Sequence, residues 1–242
     1  MTTLFISDLH LSNERPEKLA LFEQLLTGPA LQAEALYILG DLFEVWAGDD
    51  DTTPPHDHVR QLLKNYTASG GQLYVQRGNR DFLLGNKFCH DTGAKLLPDP
   101  HMIMLAGKPV LIMHGDLLCT QDRSYQRYRK LVHASAFRKP FLLLPKSLRI
   151  GIAHHFRNFT RKLTGKKDSM IMDVDPATVV AVMDHADVDC LIHGHTHRPA
   201  IHALQIGSRP AQRIVLGDWY DQDSVLVCDP QGKRLLRIRD VL

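Results

Sequence analysis

The stretch Ala35-Leu-Tyr-Ile-Leu-Gly-Asp41 is a short apolar run that ends in a glycine and a carboxylate. The same arrangement occurs near the N-terminus, where Thr3-Leu-Phe-Ile-Ser7 runs into Asp8. Short apolar runs bounded by turn residues are typical of buried strands, and here they alternate with amphipathic stretches. The first half of the chain therefore predicts an α/β fold in which each strand ends at a polar cluster.

Helix and strand signals continue along the chain. Pro16 marks the first turn of one helix, a second helix is expected across 55–67, and Asp175-Pro176 fits an N-cap followed by proline at the first helical position. Four further strands are then expected at the following places: 189–192, 213–216, 224–228 and 234–238. Because these strands alternate with turns, we expect them to form a second, mostly antiparallel sheet.

Length and composition exclude several classes of protein. The 242 residues are 44% hydrophobic and 23% charged, which is typical of a folded globular chain and not of a disordered or collagenous one. No apolar run approaches the ~20 residues of a membrane-spanning helix, and the N-terminus lacks the features of a signal peptide, so we expect a cytoplasmic protein. Four widely spaced cysteines without a C-x-x-C pair indicate neither a zinc knuckle nor a disulfide framework, so we expect them to be reduced and mostly buried.

Charge is distributed unevenly. The segment 123–167 contains 13 Lys or Arg and no Asp or Glu, which leaves 16 basic and 27 acidic residues for the rest of the chain. Such a block attracts anions, although a solvated helix face is the plain alternative. Apolar residues at helical spacing accompany the charges. We therefore interpret 121–167 as a lid of two or three helices inserted into a single domain, 1–242.

Five short motifs supply the polar residues at the predicted strand ends: Asp8-Leu-His10, Gly40-Asp41, Gly78-Asn79-Arg80-Asp81, His114-Gly-Asp116 and His193-Gly-His195-Thr-His197. Carboxylates, imidazoles and one amide, without sulfur, suit Mn, Fe or Zn better than Ca or Cu(I). In D-x-H and H-x-H, alternate residues of an extended segment point to the same side, so both can reach one cluster. The motifs are therefore compatible with a centre that holds two metals.

Some residues of these motifs have a structural interpretation. A single histidine is more often a hydrogen-bonded core residue than a ligand, but all five motifs together argue against that reading. For Asp81 we expect a helix cap before 82–88. We expect Asp116 and His193 to brace a ligand histidine from behind.

Together the five motifs resemble the signature of the calcineurin-like metallophosphoesterase superfamily. The resemblance implies a two-sheet sandwich flanked by helices (αββα) and hydrolysis of a phosphoester, by attack on phosphorus of a hydroxide that two metals hold. It also implies two ligand sets that share a bridging Asp41: Asp8, His10, Asp41 and His197 for one metal, and Asp41, Asn79, His114 and His195 for the other.

Longer stretches are similar to one family within the superfamily, the UDP-2,3-diacylglucosamine diphosphatases of lipid A biosynthesis: 35–44, 78–85, 111–116 and 191–200. The segment Gly40–Trp46 does not continue as the G-D-x-V-D-R-G of protein phosphatases. The resemblance implies cleavage of a UDP-linked diacylated glucosamine to UMP and a lipid sugar phosphate, with two divalent ions, most simply Mn²⁺. It implies catalytic roles for Asn79, Arg80 and His195. It implies substrate contacts from Asn79, Arg80, Asp122, Thr160, Thr164, Lys167 and His195, although Thr160 and Thr164 stand where we expect Ser and Asn in the family, so they receive no individual role.

Three functions stay open at this point. A lipid-precursor pyrophosphatase accounts for the metal motifs and for the apolar, basic insert. A soluble nucleotide or cyclic-nucleotide phosphodiesterase accounts for the metal motifs only, and a non-catalytic metal-binding interaction module fits least. From the first we expect a lid with an acyl groove and a cationic rim that rests on the cytoplasmic face of the inner membrane. No nucleic acid and no obligate protein partner is expected.

Overall fold

The structure is a computed structural model that describes residues 2–164 and 173–242, with only the backbone from 158 to 164. Its strands are β1 Thr3–Ile6, β2 Ala35–Leu39, β3 Leu73–Gln76, β4 Lys95–Leu96, β5 His101–Leu105, β6 Lys108–Met113, β7 Cys190–His193, β8 Ala200–Ile206, β9 Arg209–Val215, β10 Ser224–Asp229 and β11 Gly232–Arg237. Its helices are α1 Pro16–Thr27, α2 Pro29–Gln32, α3 His56–Ala68, α4 Asn86–Thr92, α5 Arg123–His133, α6 Ser135–Leu142, α7 Lys146–Thr164 and α8 Pro176–His185.

The first sheet has the strand order β11-β10-β1-β2-β3-β4, and β1 to β4 run parallel. Two of the flanking helices begin as the sequence predicts. Pro16 opens α1, and α3 covers the stretch expected to be helical. Further along, the Asp175 side chain accepts a hydrogen bond from the backbone N–H of Ala177 at the start of α8, which confirms the predicted N-cap.

The second sheet has the order β5-β6-β7-β9-β8, with β6, β7 and β9 parallel. The prediction of one mostly antiparallel sheet from the four late strands is therefore wrong. Of the four strands expected there, only β7 and β9 belong to the second sheet. The other two, β10 and β11, belong to the first sheet, where β10 pairs antiparallel with β1 and with β11. The runs of β7 and β10 are buried on both faces, so their hydrophobic pattern did not indicate which sheet they join.

The core between the two sheets explains why these runs are continuous apolar stretches. Phe5 and Leu39 of the first sheet pack against Val110, Ile112 and Ile192 of the second. The helices α1 and α3 cover the other face of the first sheet with a larger apolar cluster, and α8 covers the outer face of the second. The result is an αββα sandwich, which confirms the expected fold. All four cysteines are free, and three of them are buried.

The described part of the basic segment forms α5, α6 and α7, in line with the two or three helices expected there, and the segment 121–167 is called the lid below. Residues 165–167 of that segment lie outside the described residues. Among the lid side chains that the structure describes, only Val132 and Arg149 are buried. Within 2–164 and 173–242, no helix is both long enough and apolar enough to cross a membrane.

Candidate metal centre

The polar residues that follow five strands, three from the first sheet and two from the second, meet at one edge of the sandwich. Asp8 follows β1, Asp41 follows β2, Asn79 follows β3, His114 follows β6, and His195 with His197 follows β7. Carboxyl ends of parallel strands are the usual place for a ligand in such sheets. The two sheets contribute jointly, since β1, β2 and β3 belong to the first and β6 and β7 to the second.

The backbone at this edge adopts an unusual conformation. Positive φ angles of 48° to 70° occur at five of the expected ligands: Asp8, His10, Asp41, His195 and His197. Left-handed backbone is uncommon outside glycine and costs on the order of 1 to 3 kcal/mol a residue, so it is retained where a site requires it. The strained loops therefore point the side chains into the cluster at a cost that the rest of the sandwich offsets.

Two glycines allow the loops to approach each other. A Cβ at Gly78 would lie 2.1 Å from Asp41 Oδ1, and a Cβ at Gly40 would lie 2.7 Å from the Gly78 Cα and from His114 Nδ1. Both distances are shorter than any real contact, so neither position accepts a side chain. Steric contact thus explains why glycine precedes Asp41 and Asn79 in the motifs.

One group of ligand atoms comes from Asp8, His10 and His197, and these atoms all lie within 4.8 Å of one another. His197 Nε2 is 3.3 Å from Asp8 Oδ1. The other ring nitrogen of His197, Nδ1, is 3.2 Å from Asp218 Oδ2. The Asp218 carboxylate therefore holds the imidazole so that Nε2 faces the cluster.

A second group is formed by Asp8, Asp41 and His114, again within 4.8 Å. Asn79 Oδ1 lies 3.0 Å from His114 Nε2 and 3.0 Å from His195 Nδ1, which adds the amide and the other imidazole. The two Asp41 oxygens face opposite sides, with Oδ1 3.8 Å from His114 Nε2 and Oδ2 3.8 Å from His10 Nε2. All seven expected ligands are thus brought together, with Asp41 between the two groups. Asp8 belongs to both groups as well.

Burial and protonation at this edge fit a divalent metal. Both ring nitrogens of His10 are buried and form no hydrogen bond in the described part of the chain. Burial lowers the pKa of His10 to about 4 and that of His195 to about 3, so both imidazoles are neutral and able to ligate. Although burial acts to raise it, the hydrogen bond and charge of His197 hold the pKa of Asp8 below its ordinary value. At three other expected ligands the shift is in the opposite direction: despite burial, neighbouring carboxylates raise the pKa of His114 to about 9 and that of His197 to about 10, and burial raises the pKa of Asp41 to about 7. These groups must release protons when a metal binds. Carboxylates and imidazoles without sulfur are a suitable donor set for Mn, Fe or Zn.

Arg80 lies at the rim of the cluster. Its backbone N–H donates to Asp41 Oδ1 at 2.8 Å, so the motif that supplies Asn79 also positions Asp41. The side chain is half-buried, and its Nε forms no hydrogen bond among the residues that the structure describes. A guanidinium held in this way has donors available for an anion beside the metals.

The other residues expected to contact substrate lie in the lid, and three of them have side chains that the structure does not describe. Asp122 is the N-cap of α5, where its side chain accepts from the Tyr125 backbone N–H at 3.1 Å and from Ser124 Oγ at 2.6 Å. Thr160 and Thr164 lie in α7, but their side chains fall among those not described, and Lys167 lies outside the described residues. The substrate contacts expected of these four residues stay predictions.

The expected helix cap at Asp81 is wrong. Helix α4 begins only at Asn86. The fully buried Asp81 carboxylate instead accepts from the backbone N–H groups of Gly78 at 2.7 Å and Leu42 at 2.8 Å. Asp81 therefore holds together the two loops that carry Asn79 and Asp41, and it does not cap a helix.

Asp116 was expected to brace a ligand histidine, but its hydrogen bonds go to the lid. It accepts from Tyr125 Oη at 2.7 Å and from Arg129 Nε at 2.6 Å. The backbone N–H of His114 donates instead to Asp99, whose other oxygen binds Arg129. His193 is closer to expectation, since its Nδ1 lies 2.8 Å from the Gly194 carbonyl in the loop that leads to His195. The base of α5 is therefore attached next to the metal ligands.

Sequence reasoning missed the carboxylates that stand behind the ligand histidines. Glu44 Oε2 lies 3.4 Å from His10 Nδ1, as Asp218 stands behind His197. Such partners fix the orientation of a ligating imidazole. Glu44 carried a signal in the sequence, because it is an acid that stands between the apolar pairs Leu42-Phe43 and Val45-Trp46 just after Gly40-Asp41. Asp218 follows β9, far along the chain from the ligands, and carried none.

Comparisons with known proteins agree with this site. The calcineurin-like phosphoesterase family model matches residues 1–199. The UDP-2,3-diacylglucosamine hydrolase of Aeromonas hydrophila is 48% identical, with 97% of this chain and 98% of that protein covered. The hydrolase of the same name from Stenotrophomonas maltophilia is 50% identical, with 96% of each chain covered.

A solved structure shows the same fold at low identity. Vacuolar protein sorting 29 from Cryptosporidium parvum superposes with a TM-score of 0.50 at 14% identity, over 97% of this chain and 95% of that one. The αββα architecture is thus shared well beyond the sequence relatives. By its ligand motifs, its fold and its near-complete relatives, the chain belongs to the calcineurin-like phosphoesterases and, among them, to the family of the UDP-2,3-diacylglucosamine hydrolases.

Proposed function

We propose that the chain hydrolyses the pyrophosphate bond of UDP-2,3-diacylglucosamine, which gives UMP and 2,3-diacylglucosamine 1-phosphate in lipid A biosynthesis. The observation that carries this function is the likeness, at about half identity over nearly the whole chain, to hydrolases of that name. The seven converging ligands supply the means of hydrolysis, and the apolar, cationic lid beside them suits an anionic substrate with acyl chains.

Two divalent ions, most simply Mn²⁺, complete the site in this proposal. One is held by Asp8, His10, Asp41 and His197, and the other by Asp41, Asn79, His114 and His195. Such a pair supplies an activated water and cancels charge on the attacking and leaving oxygens of the phosphoryl group. The donor set supports Mn²⁺ because it combines carboxylates and imidazoles without sulfur.

The protein's own groups bind and orient the pyrophosphate. The Arg80 guanidinium holds a phosphate by paired N–H donors, a contact that strengthens as negative charge develops. The 3.0 Å contact between Asn79 Oδ1 and His195 Nδ1 holds the two side chains in a fixed relative position, from which they contact the phosphate beside the metal ligands. Sugar and phosphate contacts from Asp122, Thr160, Thr164 and Lys167 complete the binding side of the proposal.

The lid supplies the acyl groove and a surface for the membrane. Ten large apolar side chains are exposed among the described residues, and half of them belong to the lid: Leu131, Leu142, Leu143, Leu148 and Phe156. Exposed cations lie on the same helices, among them Arg123, Arg127 and Lys130. Cations near an anionic lipid surface contribute about 1 kcal/mol each. We propose that the lid rests on the cytoplasmic face of the inner membrane, with the chain a peripheral protein.

One assay tests the function directly. The full chain is incubated with the diacylated UDP-glucosamine and, in parallel, with its deacylated form, with and without Mn²⁺, and the products are separated by chromatography. We expect UMP and the lipid sugar phosphate from the diacylated substrate only, and only with metal. Equal rates on the deacylated form would make the chain a soluble nucleotide phosphodiesterase instead.

A further inference from the structure

Glu44 is a buried carboxylate whose two oxygens face different parts of the molecule. It is 8% exposed and lies directly behind the ligand His10. On one side, Oε2 lies 3.4 Å from His10 Nδ1 and accepts a hydrogen bond from Tyr220 Oη. On the other side, Oε1 accepts from Nε of Arg157, which belongs to the lid helix α7.

The surroundings fix this carboxylate in place. The Tyr220 ring lies against the His10 imidazole, with ring centroids 5.1 Å apart, and the guanidinium of Arg15 lies 4.1 Å from the Tyr220 ring centroid. The Arg157 side chain is itself only 19% exposed where it meets Glu44. A single carboxylate thus contacts a metal ligand and the lid at the same time.

Asp218 offers a direct comparison within the same site. It stands behind His197 as Glu44 stands behind His10, with its Oδ2 3.2 Å from His197 Nδ1. Its other acceptor contacts are the backbone N–H groups of Tyr220 and Asp221 in its own loop. Among the described residues, the contacts of Asp218 do not include a lid side chain, so only one of the two carboxylates connects a ligand to the lid.

We propose that Glu44 is a positioning residue that keeps the proton of His10 on Nδ1 and, through Arg157, links the docking of α7 to the metal affinity of the His10 ligand set. An imidazole can offer Nε2 to a metal only when Nδ1 carries the proton, and an acceptor at Nδ1 selects that form. The 3.4 Å separation is longer than a usual hydrogen bond, and such contacts commonly shorten when a site is filled. The inference rests on the two-metal centre of the proposed function.

The linkage has a reciprocal consequence. When Arg157 holds Glu44, the carboxylate stays behind His10 and metal binding requires less reordering. Because coupling between two sites acts equally in both directions, a bound metal must also favour the docked position of α7. One oxygen of Glu44 faces His10 and the other accepts from Arg157, so the same side chain can serve both partners.

The test measures metal affinity without substrate. The full chain is dialysed against Mn²⁺ buffers, and bound metal per chain is measured by atomic emission for the unmodified protein, Glu44→Ala, Arg157→Ala and the double variant. We expect Glu44→Ala to weaken the binding of one ion by about 10-fold to 100-fold, the usual effect of losing such a partner. We expect Arg157→Ala to weaken it by about threefold to tenfold, in the range of couplings between contacting residues. The double variant should bind metal no more weakly than Glu44→Ala alone.

Matched variants separate this linkage from a general loosening of the structure. Lys146→Ala removes a different α7 contact with the sandwich, from Nζ to Thr52 Oγ1 at 3.2 Å, and should leave metal affinity unchanged. Asp218→Ala should weaken binding too, but its effect and that of Arg157→Ala should add in full. Glu44→Gln keeps the shape and a neutral acceptor, so it should recover part of the affinity, and it serves where Glu44→Ala folds poorly.

Two results would overturn the inference. One is an unchanged metal affinity in both Glu44→Ala and Glu44→Gln with the fold intact by circular dichroism. The other is a full additional loss when Arg157→Ala is placed on the Glu44→Ala background. If the unmodified chain binds fewer than two ions, the metal centre of the proposed function fails instead, so the two failures are distinguishable.

Discussion

The metal loops and the lid are built in opposite ways. The loops hold Asp8, Asp41 and His114 almost without solvent exposure at the ends of buried strands, and the backbone at Asp8 and Asp41 is left-handed. The lid has few buried side chains among those described, and Leu143 in it is 87% exposed. In the proposed function, a site that keeps two ions at a set separation needs the rigid frame, whereas a cover for a flexible acyl chain does not.

Two of the junctions between the two regions are ionic. Arg129 of α5 binds Asp99 and Asp116, and Arg157 of α7 binds Glu44. Thus at least two of the lid's cations serve to attach it and do not face a lipid or a substrate. Because these two junctions adjoin the candidate ligands His114 and His10, part of the lid is attached next to the candidate metal centre.

The largest effect is expected within the rigid region, at Asp41. Asp41→Asn should lower turnover on the order of a thousandfold, because several kcal/mol of metal-derived charge stabilisation depend on a carboxylate between both ions. Asp8→Asn is the matched variant and should keep one ion. Metal analysis and turnover are measured together on both. Two retained ions with near-normal turnover in Asp41→Asn would mean that the ligand sets are assigned wrongly.

Arg80, at the border between the two regions, should give the next effect. Arg80→Ala should lower kcat by about a hundredfold, as the loss of one donor to developing charge usually does, while metal content stays intact. Arg80→Lys should recover only part, because an ammonium lacks the paired donors of a guanidinium. If Arg80→Ala loses metal in proportion to activity, the residue holds Asp41 in place and does not bind phosphate.

The same contrast explains what the sequence could predict. All seven candidate ligands could be selected from the sequence, because their motifs sit at strand ends with the glycines that close approach requires. Asp218 was not identifiable, because only folding brings the end of β9 behind His197. The sheet membership of β10 was not predictable either, since a strand buried on both faces pairs equally well with either sheet by pattern alone.

In the lid, the sequence predicted the helices but not the partners of their charges. The run of 13 cations indicated an anion-attracting surface. The structure shows that Arg149 instead turns inward, where it donates to the carbonyls of Ala47 and Leu144 and pairs with Asp50. The contacts with Ala47 and Asp50 span about a hundred residues of sequence, a separation that local patterns do not encode.

Metal binding should sharpen the difference in local stability between the regions. At a free Mn²⁺ concentration a hundred times the dissociation constant, the free energy of unfolding should rise by about 2.7 kcal/mol, since the metal binds the folded chain. Urea titration measures the total effect, and hydrogen exchange locates it. Protection should rise most in the loops after β1 and β2 and least in α6, which has no buried residue. Equal gains in α6 and in the loops would show that the lid is as rigid a part of the fold as the strands.

The smallest effect is expected at the exposed apolar tip of the lid, Leu142 and Leu143, which are 38% and 87% exposed. Phe141 is better left in place, because it packs against the core cluster of the first sheet. Leu142→Ser with Leu143→Ser should lower the rate on the diacylated substrate by about tenfold, which corresponds to roughly 1.4 kcal/mol of lost apolar contact with acyl chains or lipid.

The matched control for that pair is Met102→Ser with Met104→Ser, two side chains on β5 that are 53% and 66% exposed but lie outside the lid. This control should leave both the rate and the binding to anionic vesicles unchanged, whereas the leucine pair should weaken vesicle binding. The rate on a small soluble phosphodiester decides what the leucines do. If it falls in parallel with the rate on the diacylated substrate, the lid tip supports the fold and contacts no lipid. If it stays the same, the exposed leucines act on the acylated substrate alone, because the metal loops, which would cleave either compound, are untouched by the change.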